Sequence, residues 1–443
     1  MKKILLSIAL FTCCTLTNAQ EKVYTLKSCL ETGLQNNYSL RISRNEEQAA
    51  ANNATAANAG MLPTLDLSAG YSGTLDNTNN LLRATDTTPE TTEKTSGVFG
   101  QTLRAGLALN WTIFDGFNIT AEYSRLKELE RQGQTNTRIA LEDLIANITA
   151  EYYNYVQHII RLNNFRYAVS LSKERLRIVE ERYHIGNFSR LDYQQAKVDF
   201  NADSAQYMKQ QELLHTSRIR LNELMAVENV DQPLHIPDSV IDVTRTLQLD
   251  ELWNATLQTN ASLLRAAQNN TLAQLDYKKV LSRNYPYLRL NGDYGYTYGL
   301  PGSGVYKRTG KLGLNFGVTL GINLFDGTRT SRRRNARIAI DNARLEREQL
   351  EQSLHADLSN LWQAYKNNLE MLQLERQNLV AARENHEIAM ERYLLGNLSG
   401  IEMREAQKSL LDAEERLLTA EFDTKMGEIS LLQISGRVAE YLQ

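Results

Sequence analysis

The feature that most constrains this 443-residue chain is that it repeats itself. Residues 26–71 match 249–294 at an offset of 223, with Leu26, Leu34, Asn37, Leu40, Pro63 and Tyr71 falling on Leu249, Leu257, Asn260, Leu263, Pro286 and Tyr294. Ile113-Phe114-Asp115-Gly116 then matches Leu324-Phe325-Asp326-Gly327 at 211, and Arg182-Tyr183-x-x-Gly186-Asn187-x-Ser189 matches Arg392-Tyr393-x-x-Gly396-Asn397-x-Ser399 at 210. A fixed internal period means that one structural unit is built twice. The offset falls by 12 within 72–112, so one copy has the longer loop there. The reading is a tandem duplication: a first repeat over 20–226, a linker over 227–248 holding Pro233 and Pro237, and a second repeat over 249–443.

Within each repeat the apolar period switches. Leu312, Leu314, Phe316, Val318, Leu320, Ile322 and Leu324 alternate with Lys311, Gly313, Asn315, Gly317, Thr319, Gly321 and Asn323. A period of two marks a strand with one apolar face and one polar or small face. Leu65 to Ser72, Thr102 to Ile113 and Leu288 to Tyr298 alternate in the same way. Four strands of about 10–14 residues suit tilted, bilayer-spanning strands better than the usual soluble strand of about five to six. Tyr71, Trp111, Phe114, Tyr285, Tyr287 and Phe325 gather near strand ends, as an interfacial aromatic belt requires. The expected hairpins are 63–115 and 285–326, with polar joins over 74–100 and 299–310. An edge of a soluble sandwich is the competing reading.

The remainder reads as helix. No proline occurs over 90–232 or 302–443, and Leu141, Ile145, Ile148, Tyr152, Tyr155, Ile159 and Leu162 form a heptad-like seam. Helices over 118–185 and 328–395 would each be roughly 100 Å long. Gly186-Asn187 and Gly396-Asn397 suit left-handed helix ends, and Ser189 and Ser399 suit the N-caps of return helices over 190–226 and 400–434. The tip turns are therefore 186–189 and 396–399. The fold class is α+β: long antiparallel coiled-coil-like helices with four transmembrane strands per chain.

Four strands cannot close a barrel, and lipid does not tolerate an open sheet edge. Two chains would give eight strands with a filled interior, whereas three would give twelve around a wet lumen. The Gly, Ser, Thr and Asn of the polar face favour the wet one, so the expected assembly is a homotrimer with a 12-stranded barrel continuing into a helical tunnel.

Met1 to Ala19 has the order of a secretory signal, a Lys pair, an apolar stretch and small residues, with cleavage after Ala19. Lipidation at Cys13 or Cys14 is the alternative. If Ala19 is the site, Cys29 is left without an internal disulfide partner. A formal charge of −3 argues against nucleic acid as a partner. Past residue 20 no apolar run reaches the length of a membrane helix. The six His lack paired-ligand spacing, and no nucleophile triad or phosphate loop occurs, so neither metal, nor cofactor, nor enzyme activity is expected. Arg332-Arg333-Arg334 follows the last strand, either as an anchor to anionic lipid headgroups or a shaper of the potential at the barrel–tunnel junction, or as a solvated first helical turn.

The duplicated Leu62-Pro63 and Tyr285-Pro286 strand starts, both Phe-Asp-Gly exits and both Arg-Tyr-x-x-Gly-Asn turns resemble the TolC-type outer membrane factor family, over essentially the whole mature chain. Pro63, Asp115, Gly116, Pro286, Asp326 and Gly327 are the matching helix–strand transitions. The resemblance implies a trimeric exit duct in the Gram-negative outer membrane, with a large periplasmic portion. It implies coupling through a periplasmic adaptor to an inner-membrane transporter of RND or ABC type, in efflux or type I secretion. It also implies that Gly186, Asn187, Ser189, Gly396, Asn397 and Ser399 form the tip where the adaptor docks. Glu402 and Glu405 match acidic residues lining the entrance of the best-known member, where rings of carboxylates would favour cations and raise one another's pKa. A solvated helix surface is the plainer reading of that pair. Asp192 and Tyr393 match positions that hold the entrance closed in that member. Leu398 stands where it carries a basic residue, so that part of the lock is absent or rebuilt. A periplasmic coiled-coil scaffold or adaptor without a barrel is the alternative function.

Overall fold

The computed structural model describes residues 23–84, 89–238, 240–243 and 247–442. The signal segment, with Cys13 and Cys14, lies outside them. The elements run α1 (Leu26–Asn36), α2 (Tyr38–Asn53), β1 (Thr64–Leu82), β2 (Thr91–Asp115), α3 (Asn118–His184) and α4 (Arg190–Leu224). The same order follows as α5 (Leu249–Thr259), α6 (Ala261–Ser282), β3 (Tyr287–Leu300), β4 (Thr309–Gly321), α7 (Arg329–Leu394) and α8 (Gly400–Ile434), closed by a 3₁₀ turn over Val438–Leu442. The described residues divide into two compact units, one drawn from 23–45, 135–265 and 348–442, the other from 46–134 and 266–347.

The second unit holds the sheet, whose order is β1-β2-β3-β4 with every pair antiparallel. Pro63 and Pro286 stand immediately before β1 and β3. A proline cannot donate to a ladder, so pairing starts after it. That also fixes where β4 stops: Gly321 pairs with Tyr287, and no strand residue of β3 remains beyond it. Ile322 to Leu324, expected to extend the strand, therefore lie outside it.

The first hairpin departs further from expectation. Pairing continues through the expected join, from Leu75↔Phe99 to Leu82↔Thr91, so that β1 and β2 reach 19 and 25 residues against 14 and 13 for β3 and β4. The middle of the added stretch is polar, with Thr78↔Thr95, Asn79↔Lys94 and Asn80↔Glu93, and the apolar Leu75, Phe99 and Leu81 that flank it are exposed. A ribbon with both faces in water has no apolar period to read, and it is carried by cross-strand pairs and Thr propensity instead.

The first unit holds the largest core. Seam residues Ile145, Ile148 and Tyr152 of α3 are fully buried among Cys29, Leu30, Leu221 and Met225. Each such side chain contributes about 1.5–3 kcal/mol by leaving water. Cys29 is buried and forms no disulfide among the described residues. Asn37 and Asn260 perform the same task in the two halves. Asn37 Oδ1 accepts from Leu40 N (3.1 Å) and its Nδ2 donates to Leu224 O (2.9 Å); Asn260 Oδ1 accepts from Leu263 N (3.0 Å) and its Nδ2 donates to Ile434 O (2.8 Å). One amide thus caps the helix that follows it and satisfies the last carbonyl of a return helix.

Candidate functional site

In the sheet unit, the register sorts side chains by face. Leu67, Leu107, Tyr294 and Leu314 form one row across all four strands, and all are exposed. Leu65, Leu312, Phe316, Val318 and Leu320 extend this apolar face and are at least 63% exposed. Water would not leave so large an apolar surface uncovered in a soluble domain. The opposite face carries the rows Ser68–Gly106–Gly295–Gly313 and Asp66–Ala108–Asp293–Asn315. Gly106 and Gly295 are needed there, since a Cβ on Gly106 would lie 2.8 Å from Tyr294 O. The sheet is apolar on one side and small or polar on the other, with β1 and β4 as unpaired edges.

Both strand exits are carboxylate-capped. Asp115 accepts from Ile119 N and Asn118 Nδ2, each at 3.0 Å, and Asp326 Oδ1 accepts from Thr328 N and Oγ1 at 2.8 and 2.7 Å. Gly116 adopts φ +71° and packs so closely on Ser282 O that a Cβ would meet it at 2.3 Å. Gly327 has no left-handed backbone.

In the other unit, the two helix turns share one bonding pattern. Gly186 (φ +82°) donates to Tyr183 O at 3.0 Å and Asn187 N to Arg182 O at 2.9 Å; Gly396 (φ +80°) donates to Tyr393 O at 3.0 Å and Asn397 N to Arg392 O at 2.8 Å. These are paired C-terminal caps that only a residue without a Cβ makes cheaply. Ser189 and Ser399 then open α4 and α8 with capping boxes: Asp192 Oδ2 accepts from Ser189 N and Oγ (3.0 and 2.7 Å), and Glu402 Oε2 from Ser399 N and Oγ (3.0 and 2.7 Å).

These bonds define what the carboxylates can do. The hydroxyl and amide of Ser399 hold the Glu402 carboxyl below the ordinary carboxylate value. This direction is the reverse of the rise that a ring of like charges would bring. Tyr393 is 1% exposed, and burial pushes its hydroxyl up. That hydroxyl has no hydrogen-bond partner among the described residues, so Asp192 and Tyr393 are not bonded to each other within the chain. Both line a cavity of about 370 Å³ with Glu405, Arg175, Phe188 and Arg404. Glu405 also borders a second cavity of about 360 Å³, where Glu402, Arg392 and Leu398 lie.

Ion pairs between helices hold this region, and the sequence did not signal them. Arg404 of α8 grips Asp203 of α4 with two bonds of 2.7 Å, and Arg175 of α3 pairs with Asp199 of α4. The partners of the first pair are 201 positions apart, and nothing in local spacing connects them. Among the described residues no group of three or more His, Cys, Asp or Glu is placed to hold a metal, and no helix is long and apolar enough to cross a membrane.

The chain matches the outer membrane efflux protein family over residues 30–227 and 252–437. It belongs to that family. A curated relative is the outer membrane protein TolC of Vibrio cholerae, 24% identical over 406 residues, covering 89% of this chain and 86% of TolC. Among solved structures, a membrane protein from Pseudomonas aeruginosa superposes with a TM-score of 0.74 at 18% identity, covering 93% of each chain. The CmeC outer membrane channel of Campylobacter jejuni superposes with a TM-score of 0.73 at 18% identity, covering 93% of this chain and 85% of CmeC. This efflux protein is thus a channel component of the outer membrane and not an enzyme.

Proposed function

We propose that three copies of this efflux protein form a passive exit duct, a 12-stranded barrel continued by a helical tunnel, built from a duplicated protomer. The observation that carries this reading is the four-stranded sheet, with one largely apolar, exposed face and both edges unpaired. In lipid the edges of β1 and β4 need partners, and copies of the same chain supply them in a closed ring. Three copies bring the small and polar rows to a lumen wide enough for water. The repeated element order supports a gene-level duplication that places two similar units per chain around the ring.

The tip turns at Gly186–Ser189 and Gly396–Ser399 are the docking points for a periplasmic adaptor, which couples the duct to an inner-membrane transporter of RND or ABC type. Asp192, Tyr393, Glu402 and Glu405 line the entrance, where the Tyr393 hydroxyl is buried and has no hydrogen-bond partner among the described residues. Neither a reaction nor a cofactor is required of the chain. The apolar sheet face argues against a barrel-less scaffold, which would have to expose it to water. Mass measurement in detergent tests the assembly. A protein mass of three chains is expected, whereas a monomer or an even-numbered assembly would refute it.

A further inference from the structure

Between β2 and α3 the chain spends strain to display an aromatic ring. Phe117 has φ +73° and is 59% exposed. A left-handed non-glycine residue costs about 1–2 kcal/mol, which ring contacts within the chain help to offset. The ring belongs to a line of edge-to-face contacts, Phe114 to Phe117 at 5.1 Å and Phe117 to Tyr285 at 5.9 Å. Phe114 is itself re-aimed by a bulge. Between Thr112 and Phe114 the register shifts, so that Phe114 faces Leu288, which faces Leu320 on the apolar side. The aromatic line therefore begins at the rim of the apolar sheet face.

Beneath it lies a cavity of about 270 Å³, bounded by Phe117, Tyr285, Thr120, Ser124, Ser282 and Lys278. Its charge is unbalanced. The nearby acids are already held, Asp276 by Arg125 at 3.0 Å and Glu122 by Lys279 at 2.5 Å. Lys278 is exposed and makes no ion pair among the described residues. Ser124 and Ser282 already donate their hydroxyls to Thr120 O and Lys279 O, which leaves the Lys278 ammonium and the Thr120 hydroxyl as donors beside two rings at the rim of an apolar belt, a set that matches a phosphodiester on a glycerol carrying acyl chains.

We propose that this cavity is a headgroup site for a glycerophospholipid of the leaflet nearest the helices, with Lys278 on the phosphate and Phe117 and Tyr285 against the glycerol and upper chains. The site rests on the membrane-spanning reading proposed above. Its test is native mass spectrometry of the full chain released from phosphatidylglycerol nanodiscs. The wild type is expected to retain phosphatidylglycerol, and Lys278→Ala to retain about fivefold less, the factor given by ~1 kcal/mol per lysine at a lipid surface. Lys278→Arg should keep the lipid, and Phe117→Ala should lose it. Equal retention by Lys278→Ala and wild type, or equal retention of diacylglycerol and phosphatidylglycerol, would overturn the site alone. A protein that never enters the nanodisc would overturn the membrane reading and the site with it.

Discussion

Adjacent residues Leu314 and Asn315 of β4 should respond oppositely to the same substitution. Leu314 lies in the middle of its strand, 68% exposed, in the apolar row with Leu67, Leu107 and Tyr294. Asn315 points the other way, in the row with Asp66, Ala108 and Asp293. An arginine on the lipid face near the bilayer midplane costs about 2–4 kcal/mol, and nearer the interface about 0–1. Because Leu314 is central to the strand, Leu314→Arg should approach the larger figure, a factor of about 30 to 1,000 in the folding equilibrium. Asn315→Arg keeps its charge in water and should cost under about 1 kcal/mol. Guanidinium unfolding of the protein refolded in phosphatidylcholine vesicles reads both. Equal effects, or a larger cost at Asn315, would refute the assignment of faces on which the barrel rests.

Gly396→Val places a β-branched residue at φ +80° and should cost at least about 1–2 kcal/mol, visible as a lowered Tm, and weaken adaptor capture; Gly400→Ala, with nothing within 4 Å, should be near neutral. Arg404→Ala leaves Asp203, 9% exposed, without its two bonds, and should destabilise by up to about 3–5 kcal/mol in denaturant titrations. Glu402 is held below its ordinary value of 4.5 in the folded chain, so its cap stabilises fully above that pH and is lost as pH falls through the folded value. Glu402→Gln should therefore lower stability at pH 7 and lessen the acid-induced loss below pH 4.5, as compared by denaturant unfolding at both pH values.

Much of this architecture is written in periodicities that survive without alignment. The alternation of Leu312 to Leu320 and the seam from Leu141 to Leu162 announce strand and helix because each element has one dry or lipid-facing side. The prolines at 63 and 286 mark strand starts for a covalent reason, the missing N–H. What escaped has equally physical causes. The outer rungs of the β1–β2 hairpin are wet on both faces and carry no period. The bulge that turns Phe114 outward depends on the partner strand's register. At the tip, Ser189 and Ser399 are legible as caps from local spacing. The pairs Arg404–Asp203 and Arg175–Asp199 are tertiary, and they form only once α3, α4 and α8 lie together. Glu402 shows what local spacing does carry: three residues after Ser399, its carboxylate closes the capping box that the structure displays.

Planar-bilayer recording of the detergent-purified protein tests the central claim, a water-filled duct, most directly. The account predicts discrete, cation-selective conductance steps, with a reversal potential that moves toward zero in a Glu402→Gln, Glu405→Gln double variant. A water-soluble particle that never conducts would contradict it.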